Sequence, residues 1–171
     1  MIRNAITALL PIAIIGLLTA TAATTWLSHA PSSLALALLP AAALHFWALR
    51  HPQLIPGLAV LFSGLAIDIV FAGPMGLWTT VYASAWLIGL LQRPSAEHSW
   101  LLSRWGMFAI AMTGCIVVLA GLGEALSAPP GTLIDHLLAL TILIAGYPLF
   151  AALMRLFEPH TSADRFSPQN G

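Results

Sequence analysis

Residues 61–82 read LFSGLAIDIVFAGPMGLWTTVY. One carboxylate, Asp68, stands in an otherwise uncharged stretch. A break at Gly73-Pro74 and a further glycine, Gly76, follow it, and a second apolar run begins at Leu77. Two apolar runs joined by so short a break read as a helical hairpin. The rest of the chain decides whether that hairpin lies in water or in lipid.

The chain has 171 residues, 59% of them hydrophobic and 7% charged. Soluble domains carry about 25% charged residues. Six acidic and six basic side chains cannot clothe a soluble fold of this size. The composition reads as an integral membrane protein. The formal net charge is zero, and no basic stripe offers itself to nucleic acid. All six basic residues are arginines: Arg3, Arg50, Arg93, Arg104, Arg155 and Arg165. The single cysteine, Cys115, lies in an apolar run with no ligand spacing around it. It reads as a small packing residue.

A spanning helix needs about 20 mostly apolar residues. Six segments approach that: 5–27, 34–49, 54–72, 75–91, 101–126 and 133–157. Proline stands near each boundary and cannot continue a helix without losing a hydrogen bond. A cleaved signal peptide is the alternative for 5–27, but the stretch is longer than a usual signal core. The tail 158–171 is polar, contains proline and is expected to be a disordered cytoplasmic segment. The expected fold is an all-α integral membrane protein of six transmembrane helices in one domain.

The arginines set the expected orientation. Arg3 precedes the first segment, and Arg50 lies between the second and third. Arg93 and Arg104 flank the turn between the fourth and fifth, and Arg155 and Arg165 close the chain. With six spans all six fall on one side, which the positive-inside rule makes cytoplasmic, with both termini inside. The outer side then carries His29, Asp68, Glu124, Asp135 and His136. Arg50, Arg93, Arg104 and Arg155 read as anchors at inner headgroups. Trp26, Trp47, Trp78, Trp100 and Trp105 fall near span ends, as an aromatic belt would place them.

Asp68 is the costly residue, because a charge at the centre of a span costs about 2.5–3.5 kcal/mol. Its side chain is expected to face the bundle interior, a cavity or a partner. Desolvation would favour a neutral carboxyl that donates a hydrogen bond. Gly64 lies one turn earlier on the same face, which predicts a seam where a second helix approaches closely. Gly73, Pro74 and Gly76 should form a tight outer turn. Tyr147-Pro148 should kink the last helix and open a polar pocket. The sequence contains no zinc-protease, nucleophile-elbow or phosphate-loop motif. No enzyme activity, metal or cofactor is expected.

Together these residues resemble the rod shape-determining protein MreD family. Four pieces carry the resemblance: HFWALRHP (45–52), the opening stretch 61–82, the polar inner turn around Arg93, and YPLFAALMRLF (147–157). Pro74 departs from the pattern, where a small polar residue is more usual. The resemblance implies a non-enzymatic inner-membrane component of the bacterial elongation machinery. It implies MreC as partner, with MreB, RodA and the elongation penicillin-binding transpeptidase reached directly or through MreC. Lateral peptidoglycan synthesis and rod cell shape would follow from that assembly. The family's architecture is also similar to the six-helix substrate-binding subunits of energy-coupling-factor transporters. A vitamin-type solute-binding subunit is therefore the alternative. On the scaffold reading Gly64, Asp68, Gly73, Pro74, Gly76, Glu124, Asp135, Tyr147 and Pro148 are partner-binding or structural residues.

Overall fold

The structure is a computed structural model, and it describes residues 2–26, 33–96, 101–128 and 131–156. The tail 158–171 and His29 lie outside the described residues. Six α-helices follow one another: α1 (Ile2–Trp26), α2 (Ser33–Arg50), α3 (Gly57–Val70), α4 (Leu77–Ala96), α5 (Leu101–Ala125) and α6 (Leu133–Leu156). No strand occurs among the described residues.

Two boundaries differ from the sequence expectation. α3 starts at Gly57, because Pro52–Leu54 winds into a single 3-10 turn and Pro56 holds an extended conformation before the helix. α4 continues past residue 91 and through Pro94 to Ala96. Proline there forfeits one hydrogen bond, to the carbonyl of Leu90, in the final turn.

α2 is the axis of the bundle. α1, α4 and α6 pack on it, with α5 touching it less, while α3 packs on α4 and α1. Ala35, Ala37, Ala41, Ala42, Ala43 and Ala48 are all buried along α2. Small side chains let neighbouring helices come close. At Gly89 of α4 an added Cβ would stand 2.9 Å from the His45 carbonyl oxygen of α2, so the two backbones all but touch.

The outside of the bundle is apolar. Phe62 on α3 is 67% exposed and Leu149 on α6 is 79% exposed. Two helical stretches, Ser103–Ala125 and Leu133–Leu156, are long and apolar enough to cross a membrane. Leu10–Ala22, Leu34–Arg50 and Gly57–Val70 are shorter apolar stretches. Trp47 and Trp78 do not join an aromatic belt, for both are buried in the core. Trp78 stands edge-on between Phe71 and Tyr82. Trp100 and the side chain of Trp26 lie outside the described residues.

Candidate functional site: the Asp68 cap on helix α4

The first turn of any α-helix leaves backbone N–H groups without intrahelical acceptors. In α4 those groups point back at α3. Asp68, two residues before the end of α3, is 1% exposed. Its Oδ1 accepts a hydrogen bond from the Trp78 N–H at 2.8 Å. Its Oδ2 accepts from the Gly76 N–H at 2.9 Å, the Thr79 N–H at 3.3 Å and the Thr79 hydroxyl at 2.7 Å. The carboxylate therefore caps α4 from the preceding helix, and its negative charge meets the positive end of the α4 dipole. Three of the four partners of Asp68 are backbone N–H groups, which can only donate, so its main role here is as an acceptor.

The intervening turn fits this task. The Leu77 N–H donates to the Pro74 carbonyl at 3.2 Å, closing a turn over Pro74–Leu77. Its third residue, Gly76, has φ +97°, which a residue with a Cβ rarely adopts. Gly73 and Met75 are exposed at the tip. Gly64 supplies the close approach. A Cβ on it would run into Thr79 Cα and lie 2.8 Å from Thr79 N. The Gly64–Asp68 face is thus packed against the start of α4, and Asp68 faces the bundle interior, where the first turn of α4 occupies the space beside it.

The other sequence-chosen residues are not gathered around Asp68. Glu124 is exposed near the end of α5. Asp135 belongs to a capping box at the start of α6. Its Oδ2 accepts from the Thr132 N–H at 2.7 Å and the Thr132 hydroxyl at 2.8 Å, while the Asp135 N–H donates to Thr132 Oγ1 at 3.3 Å. The Thr-x-x-Asp spacing at 132–135 was readable in the sequence as such a box. Tyr147 and Pro148 lie with α5 instead. Pro148 has no N–H to give the Ile144 carbonyl, one turn earlier. The Trp105 indole N–H of α5 donates to that carbonyl at 2.7 Å. Tyr147 stacks on Phe108 of α5, with ring centroids 4.2 Å apart. These two contacts engage the polar groups at the proline, and the space beside it is lined by apolar residues.

A second polar group inside the bundle escaped the sequence reading. His45 of α2, 1% exposed, shares a hydrogen bond with Gln92 Oε1 of α4 through Nε2 at 2.9 Å. Gln92 Nε2 donates to the Met107 carbonyl of α5 at 3.1 Å. Two polar side chains within apolar runs are the sign that could have found it, since such residues seek each other away from water. Among the described residues no three of His, Cys, Asp and Glu come together to hold a metal ion.

Arg50, Arg93, Arg104 and Arg155 stand at the ends of α2 and α4, the start of α5 and the end of α6. Asp68, Glu124 and Asp135 stand at the opposite helix ends. No family model, curated protein or solved structure matches the chain.

Proposed function

We propose that this chain is a six-span inner-membrane scaffold of the bacterial elongation machinery, non-enzymatic, with both termini in the cytoplasm and MreC as its direct partner. The family resemblance rests on the quoted residues. The observation that carries the scaffold reading is how the Asp68 site is used. Its carboxylate is consumed in holding the α3–α4 hairpin, and the turn it supports presents Met75, 71% exposed. A rigid hairpin with an apolar tip suits a docking element better than a reaction centre. The apolar exterior and the arginines at one bundle end support the membrane placement.

On this reading MreC meets the outer face at the 72–76 turn, while MreB, RodA and the elongation transpeptidase join directly or through MreC. Purification of the tagged chain in mild detergent, with co-purifying proteins identified by mass spectrometry, tests it. MreC and the elongation synthase should be recovered. Met75→Asp should lower MreC recovery without lowering the thermal unfolding midpoint, whereas Asp68→Ala should lower both. Recovery of paired ATPases and a coupling subunit would make the chain a solute-binding transporter subunit instead.

A further inference from the structure

A cavity of about 220 Å3 lies between α2, α5 and α6, and its lining is almost wholly apolar. Leu39 and Ala42 of α2 form its floor, Phe108 of α5 one wall, and Ile142, Gly146 and Phe150 of α6 the other. A Cβ on Gly146 would meet nothing within 4 Å, so the groove is open at that point. Helices of about 10–12 Å diameter with their side chains are too thick for this space, whereas one hydrocarbon chain fits.

The groove has a charged end. Phe150 stands edge-on to Phe46, with centroids 6.5 Å apart, and the Arg50 guanidinium lies 5.2 Å over the Phe46 ring. Phe108 stacks on Tyr147, while Arg50 ends α2, Arg104 stands in the first turn of α5 and Arg155 in the last turn of α6. Each of the three groove helices therefore contributes one arginine to the same end. Along α6 the groove runs from Ile142 to Phe150, about 12 Å, and Arg155 lies about 7.5 Å further on. Half of a bilayer's hydrocarbon core is about 15 Å.

We propose that this groove binds one anionic phospholipid of the cytoplasmic leaflet, with one of its two acyl chains along α6 between Ile142 and Phe150, the other in the surrounding lipid, and its phosphate at Arg50, Arg104 and Arg155. An apolar slot of leaflet depth with a cationic mouth matches an amphiphile with a single anionic head. The proposal rests on the membrane placement above.

The test begins with alkaline carbonate washing of membranes carrying the full chain. The chain should stay in the membrane. Its release would overturn the membrane placement and the lipid site together. Detergent-purified chain, stripped of lipid, is then titrated with phosphatidylglycerol or phosphatidylethanolamine and read by native mass spectrometry. One phosphatidylglycerol should be retained in preference to phosphatidylethanolamine. Arg155→Gln should weaken that retention about five- to tenfold, and Arg155→Lys should restore most of it. Gly146→Leu, which fills the slot from its open side, should do likewise with unchanged helicity by circular dichroism. Equal retention of the two lipids by a membrane-held chain would overturn the lipid site alone. So would wild-type retention by Arg155→Gln, which keeps the experiment decisive should Gly146→Leu misfold.

Discussion

Asp68 shows how one side chain can hold two helices. Three backbone N–H groups and one hydroxyl depend on it, and its surroundings admit almost no water. Removing the acceptors strands these donors, which costs more than the lost bonds themselves. Asp68→Ala is expected to destabilise the chain by about 2–4 kcal/mol, as a lost cap combined with buried unpaired donors. Asp68→Asn should fall between Ala and wild type. Its oxygen can serve the three donors on the Oδ2 side, while its amide group then confronts the Trp78 N–H. Thermal unfolding in detergent orders the three chains. An Asn variant as weak as Ala would mean that charge, rather than hydrogen bonding, dominates. The sequence marked Asp68 as costly and internal. It could not name the partners, because those are main-chain groups brought close by a turn and carry no letter of their own.

Helix pairs are joined here by features in which one helix completes its neighbour. α3 completes α4 through Asp68, and Gly64 makes room for it. Gly64→Ala is expected to lower stability by about 1–3 kcal/mol, since a Cβ there overlaps the Thr79 backbone. Gly121→Ala, where nothing stands within 4 Å, should instead raise it by about 0.5–1 kcal/mol. Comparing the two unfolding midpoints separates close packing from helix propensity. α5 completes α6 in the same manner, with Trp105 serving the carbonyl that Pro148 leaves without its helical donor. Trp105→Phe should therefore cost about 1 kcal/mol or more with Pro148 present, and much less after Pro148→Ala. A double-mutant cycle measures that coupling, and additivity would refute it. The Gly64 seam was legible from its one-turn spacing to Asp68. The Trp105 contact was not, because its position near a segment end suited a belt residue equally well.

Across the whole molecule, charge is sorted by end. Asp68, Glu124 and Asp135 lie at one pole and Arg50, Arg93, Arg104 and Arg155 at the other. On the proposed orientation, Ser127→Cys in a Cys115→Ala background should react with a membrane-impermeant maleimide in intact spheroplasts. Gln53→Cys, also exposed, should react only after lysis. The reverse pattern would invert the topology and separate the chain from its proposed partners. This polarity was readable from arginine spacing alone, since it needs only the count of helices. The role of α2 as axis was not, for its run of alanines gives no sign of which helices surround it.

On the proposed membrane placement, the cap also bears on how the protein enters the bilayer during synthesis. α3 has 14 residues, about 21 Å of helix, against a hydrocarbon core of about 30 Å. Emerging alone from the translocon it would be both short and burdened with an unmatched carboxylate. The donors that match it sit 8 to 11 residues later. On that placement α3 is expected to wait at the translocon until the start of α4 arrives, so that the two helices enter lipid as a single folded pair.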